Sequence, residues 1–270
     1  MAALRDRVGF DAGGRRLEDA IAWAAEHGFH HVDFNADLEA NHLVRGWDDE
    51  RVRGVRKTCE RHAIHLGLHT SSAVNVAEYS PHAAEGVDAY LRANVDLAGR
   101  LGCEWIVVHA GFHFSSHVKE RVAVSLDRLE RLTAYAERRG GARLLLENLN
   151  REPDRAEVRY LGHTVDECRP YFDAIQSPRF GWAYTVNHAH LVPEGVGGFL
   201  DAFGTERIGE VRLADNTGEY EIHLPPGQGT IDFAPLFRRL EAAGYRHHYM
   251  MAFGTDADKL AARDFFASLA

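Results

Sequence analysis

Cysteine is scarce in this chain: Cys59, Cys103 and Cys168 are the only three in 270 residues, an odd number without CxxC spacing. That excludes a disulfide-built scaffold and reads as reduced packing thiols of a cytoplasmic protein. No run of about 18 apolar residues occurs, which excludes a bilayer-spanning helix, and Met1 to Arg7 lacks the apolar core of a signal peptide. Bases are outnumbered, with 31 Lys and Arg against 40 Asp and Glu and a formal net charge of −9. This deficit opposes tight binding along a nucleic-acid backbone, whose affinity comes from cations neutralising phosphates. Neither a nucleic-acid nor a membrane partner is expected. A glycine-rich phosphate turn is missing as well. Phe10-Asp11-Ala12-Gly13-Gly14 matches GxGxxG poorly, which counts against the runner-up architecture, a doubly wound open sheet.

What is present is organised around Ala142-Arg143-Leu144-Leu145-Leu146-Glu147-Asn148. Three consecutive leucines after a helical stretch read as a strand buried on both faces, as in a parallel sheet. The acid that follows has no packing reason to be there, because burying an unpaired carboxylate costs several kcal/mol. Similar short apolar runs are expected at Arg7–Phe10, His30–Phe34, Ile64–His69, Glu104–His109, Phe180–Tyr184, Ile208–Leu213 and His248–Phe253. Helical periodicity separates them, as in Asp48–His62 and in Val118–Arg139, which Gly140-Gly141 closes. Thr164 followed by Asp166-Glu167 caps a further helix to Ile175. Eight strand–helix units, without linker or repeat, predict a single α/β domain over residues 1–270, a closed (β/α)8 TIM barrel.

In such a barrel the C-terminal strand ends share one mouth, where active sites are built. Taken in order, those ends offer Asp33, His69, His109 and Glu147, then Thr185 with His188 just beyond. Arg212 with Asp215 follows, then the loop Glu221-Ile222-His223, and finally Ala252. Imidazole together with carboxylate is the ligand set that zinc, manganese or iron prefers. The constellation therefore points to a metal-assisted or acid–base site.

The motifs Leu-Gly-Leu-His69, Val-Val-His109-Ala-Gly, Leu-Leu-Glu147-Asn, Asn187-His188-Ala189, Ala214-Asp215-Asn216-Thr217-Gly218 and Leu224 to Phe233 resemble the xylose-isomerase-like superfamily along nearly the whole chain. That superfamily includes sugar isomerases, ketose 3-epimerases, dehydratases and, more distantly, type-IV apurinic endonucleases. The resemblance implies a TIM barrel with a divalent-metal site. The four epimerase metal positions fall on Glu147, Thr185, Arg212 and Ala252, of which only Glu147 is retained. The two flanking sets of the endonucleases fall on His69, His109 and Glu147, and on His188, Glu221 and His223. The resemblance thus implies Zn, Mn or Fe at the flanking sites and no central metal, with the guanidinium of Arg212 in its place.

The resemblance implies a sugar phosphate isomerase/epimerase-like enzyme that moves a proton at the carbon next to the carbonyl of a small sugar or polyol-like compound, by isomerisation or by dehydration or lysis. Glu147 is the expected base, Arg212 the electrophile and His188 a proton carrier. Asp33, His69, His109, Trp182 and Asp215 are expected to bind substrate, with Phe112 and Phe114 as further aromatic walls. A metal-dependent hydrolase and a non-catalytic binding barrel are the alternatives, and the fold admits a homodimer.

Overall fold

In the computed structural model, residues 3–269 are described, apart from Leu38 and Val44. Residues 1, 2 and 270, the ends of the expected domain, lie outside them. The chain alternates strands and helices: β1 (Val8–Asp11), α1 (Leu17–His27), β2 (His31–Phe34), α2 (Asp49–His62), β3 (His65–His69), α3 (Pro81–Leu101) and β4 (Trp105–Val108). A two-residue strand β5 (Phe112–His113) precedes α4 (Val118–Arg139) and β6 (Arg143–Glu147). Then come β7 (Arg159–Tyr160), α5 (Val165–Ala174), β8 (Phe180–Thr185), α6 (Val186–Ala189), α7 (Gly195–Phe203), β9 (Ile208–Leu213), α8 (Phe233–Ala242), β10 (His248–Met251) and α9 (Asp256–Ala267).

Eight of these strands close into a parallel barrel in the order β1-β10-β9-β8-β6-β4-β3-β2. Parallel strands joined by helices bury both faces, and the leucine run of β6 shows how. Leu145 joins Trp105, Val107, Ala183 and Met250 in an apolar cluster of its own, while Leu144 and Leu146 belong to the larger one packed by the helices. Burying each such leucine contributes about 1.5–3 kcal/mol. The remaining pair, β5 and β7, forms a small antiparallel ribbon that the sequence pattern does not announce. Its two-residue strands are too short to carry a periodic pattern.

Caps fix where the helices begin. The Asp48 carboxylate accepts from the Arg51 backbone N–H at 2.7 Å at the head of α2. Thr255 and Asp258 cap each other at the head of α9. Gly140, at φ +65°, ends α4 in the left-handed conformation that the sequence predicts there. Within the barrel, Gly67 on β3 leaves room for a neighbour. A Cβ there would come within 2.0 Å of Trp105 Nε1 and 2.1 Å of Asp33 Oδ1. Because Gly67 has no side chain, the Trp105 indole can donate to Asp33 at 2.6 Å. The three cysteines are buried and unpaired. Among the described residues no helix is long and apolar enough to cross a membrane.

Candidate active site

The C-terminal strand ends surround a cavity of about 610 Å³, lined among others by His69, His109, Glu147, Thr185, His188, Arg212, Glu221 and His223. That volume suits a small-molecule ligand. Parallel register brings the ring together. Thr185 lies beside Arg212 and Glu147 beside Ala183 on neighbouring strands, so side chains distant in sequence meet at one level.

Glu147 is the hub. It is buried; its Oε1 accepts from the Thr185 hydroxyl at 2.6 Å, and its Oε2 faces the Nε2 atoms of His109 at 3.1 Å and His69 at 3.4 Å. Burial alone would raise its pKa, but hydrogen bonds from His109 and His69 outweigh it and hold the carboxyl well below the usual range. His69 is pulled the other way. Burial and the charge of Arg212 oppose protonation, yet hydrogen bonds to Asp11 and Glu147 win and push its pKa up to about 9. His109 goes down, because burial there outweighs the attraction of Glu147.

The second set lies beside the first. His188 Nε2 is 3.0 Å and His223 Nε2 2.5 Å from the same oxygen, Oε1 of Glu221. Burial opposes ionisation of Glu221, but the charge and hydrogen bond of His188, followed by those of His223, bring it down to about 2. The pKa of His188 is raised, because the attraction of Glu221 exceeds the cost of burial.

Arg212 fills the barrel centre under this rim. Its Nη1 donates to Asp33 at 2.6 Å and to Glu210 at 2.7 Å, its Nη2 to Asp11 at 2.5 Å, and its Nε lies 3.7 Å from Glu147. Three acids therefore surround one buried guanidinium. Burial together with the charge of Glu210 pushes the pKa of Asp33 well up, and burial raises that of Glu210 despite Arg212.

Ligands on one tetrahedral zinc, each roughly 2.0–2.1 Å from it, stand roughly 3.3–3.4 Å from one another. The facing atoms of His69, His109 and Glu147 are separated by 3.1, 3.1 and 3.4 Å. In the second set both imidazoles bond a backbone carbonyl through Nδ1, His188 to Asn148 at 2.8 Å and His223 to Ala252 at 2.5 Å. A carbonyl only accepts, so Nδ1 carries the proton and the Nε2 of a neutral ring offers a lone pair to the site, as metal-binding histidines do. Glu221 Oε2 is meanwhile buried without a partner. Both sets fit a divalent cation. The acids Asp11 and Asp33 with His69 also converge, but the guanidinium of Arg212 already bonds both acids, so that group is spoken for.

Three expected substrate contacts are corrected. Trp182 is fully buried, donates to Asn148 Oδ1 at 3.0 Å and packs among Phe172, Tyr184, Phe199 and Phe203 on the helix side of the barrel. Strand alternation accounts for this: the adjacent Ala183 belongs to the inner apolar cluster, so Trp182 faces outward. Asp33 is sealed beneath Arg212 and does not line the cavity. Asp215 is equally buried and accepts from the backbone N–H groups of Asn216, Gly227, Gly229 and Ile231 at 2.9–3.0 Å, fastening the loop that carries Glu221 and His223. Phe112 and Phe114 lie outside the cavity lining, which Tyr160 of β7 joins instead.

Asp11, Glu210 and Lys259 were not anticipated. Glu210 and Arg212 stand two apart on β9, so alternation alone puts them on one face, and an acid inside an apolar strand was the available signal. Asp11 ends β1 one residue beyond the strand expected there.

The sequence model describing a xylose isomerase-like TIM barrel matches residues 21–265. An uncharacterized protein of Methanocaldococcus jannaschii is 24% identical over 235 residues, covering 85% of this chain and 76% of its own length. Among solved structures, a D-tagatose 3-epimerase-like protein superposes with a TM-score of 0.83 at 20% identity, covering 97% of both chains. A D-psicose 3-epimerase from Clostridium cellulolyticum H10 gives 0.79 at 16% identity, covering 97% of this chain and 99% of its own. The 3-keto-D-glucoside 4-epimerase of E. coli gives 0.74 at 18% identity, with 97% and 98% covered. These likenesses establish the barrel and the order of its strands, and the family match extends over most of the chain. The chain belongs to the family of xylose isomerase-like TIM barrels.

Proposed function

We propose that this protein is a sugar isomerase/epimerase-like enzyme that moves a proton at the carbon next to the carbonyl of a small polyhydroxy compound. The observation that carries the reading is the convergence of one buried, ionised carboxylate, Glu147, with imidazoles of His69, His109 and His188 around a single cavity. Abstraction of such a proton needs a positioned base and a means of holding negative charge on the substrate oxygens. Glu147 is the base. It is ionised at any working pH, and when substrate oxygens draw the imidazole N–H groups to themselves its basicity rises. His188, favoured in its charged form by Glu221, returns the proton. Arg212 keeps a positive charge beneath Glu147, where it orients the carboxylate and disfavours a central cation.

His69, His109 and Glu147, and separately His188, Glu221 and His223, would hold Zn, Mn or Fe, and a bound dication would supply Lewis-acid polarisation of the carbonyl. A second reading, a metal-dependent hydrolase, is supported by the presence of two such sets in one cavity. The acid excess of the chain counts against DNA as its substrate.

The test is incubation of the metal-loaded protein with a panel of ketoses in D2O. Deuterium entering the carbon next to the carbonyl, read by NMR, is the expected result. No incorporation from any ketose, with hydrolysis of a phosphodiester probe instead, overturns the proposal.

A further inference from the structure

Two basic side chains, Arg212 and Lys259, are among the described residues that line the cavity, and they differ. Arg212 is saturated by acids. Lys259 is not: it is 7% exposed, it lines the same cavity, and among the described residues its ammonium makes no hydrogen bond and no ion pair. Its ammonium Nζ lies 5.5 Å from the centroid of the Phe10 ring, a cation–π contact. Each acid near enough to be felt is engaged elsewhere: Asp11 with Arg212, Asp256 with Arg15 at 2.6 Å, and Asp258 in the α9 cap. An ammonium at a cavity wall without a carboxylate partner gains a charge-assisted hydrogen bond when an anion enters the cavity.

The neighbourhood adds donors. Phe253 and Gly254, in the loop between β10 and α9, line the cavity beside Lys259, and among the described residues neither backbone N–H meets a protein acceptor. Loops after the last strands of a TIM barrel are where anionic groups are commonly held.

We infer that Lys259 and the Phe253–Gly254 backbone form an anion subsite of the cavity, so that the substrate carries a carboxylate or a phosphate besides its carbonyl. This deepens the sugar isomerase/epimerase reading and rests on it for the identity of the cavity.

Titration calorimetry of the metal-loaded protein distinguishes the sources with three probes: neutral D-fructose, 5-keto-D-gluconate and D-fructose 6-phosphate. One anionic probe is expected to bind at least about tenfold more tightly than D-fructose, the scale of one charge-assisted hydrogen bond. Which one it is identifies the group. Lys259→Met should abolish that preference without changing D-fructose affinity, and Lys259→Arg should keep most of it. Added salt should shrink it. Equal binding of neutral and anionic probes overturns the inference, as does a preference that survives Lys259→Met in a variant with unchanged circular dichroism. The two readings fail separately. A Lys259-dependent preference without deuterium exchange leaves the anion subsite standing and removes the isomerase, whereas exchange into D-fructose indifferent to Lys259 does the reverse.

Discussion

The Nε2 atoms of His69 and His109 lie 3.1 Å apart, a separation two imidazoles reach only with a proton or a cation between them. Thr70 narrows the choice. Its hydroxyl proton goes to the Val107 carbonyl at 2.9 Å, so its oxygen is left to accept from His109 Nδ1 at 3.4 Å. In that tautomer the Nε2 of His109 offers a lone pair to a cation, and in the other it donates to Glu147 Oε2 at 3.1 Å and the Thr70 contact is given up. Glu147 Oε2 faces both rings, so a single proton serves two acceptors. A divalent cation satisfies all three donors at once.

Metal content should follow the two sets independently. Purified protein is expected to bind Zn or Mn, measured by mass spectrometry of the metals and by calorimetry. His69→Ala should weaken one site and His223→Ala the other. Binding also stabilises the fold, by about 2.7 kcal/mol at a hundredfold excess over Kd, so Tm should rise on loading. Unchanged affinity in both variants would falsify the flanking-site assignment.

Arg212 should prove structural before it proves chemical. Arg212→Met leaves the buried Asp33 and Glu210 without the guanidinium that bonds both. The expected loss is about 3–5 kcal/mol in urea unfolding, with Arg212→Lys a poor substitute because it cannot reach several acids in a plane. A loss below about 1 kcal/mol, as for an exposed pair, would remove the guanidinium from the centre of the account.

Stability of the metal-free protein should fall at both ends of the pH scale for separate reasons. The carboxyl of Glu221 moves from 4.5 down to about 2 on folding, so its contribution is present above pH 4.5 and is lost as pH falls towards 2. The imidazole of His69 moves from 6.5 up to about 9, so its contribution is present below pH 6.5 and is lost as pH rises towards 9. Urea midpoints measured from pH 3 to pH 9 should therefore show two limbs. Glu221→Gln should flatten the acid one and His69→Asn the alkaline one. Limbs that persist in these variants would assign the titration to other groups.

Much of this was legible in the chain. Apolar runs such as Leu144-Leu145-Leu146, each followed by helical spacing, specify the barrel because every strand must bury both faces. The ring from His69 to His223 was legible because strand ends converge in that fold. What the sequence hid was direction. Trp182 and Ala183 are neighbours on one strand and point to opposite faces, and the register that decides between them comes from pairing with β6 and β9. Asp215 reads as a ligand by composition and acts as a loop fastener by geometry. Lys259 sits within an ordinary helix, and what distinguishes it is burial with no carboxylate partner among the described residues.

The most direct measurement compares deuterium exchange by wild-type protein and Glu147→Gln on whichever ketose exchanges, at equal metal loading and equal Tm. Glu147 as the base predicts a fall of about 10²–10⁴-fold in the variant. An exchange rate that survives the loss of that one ionised oxygen would contradict the account.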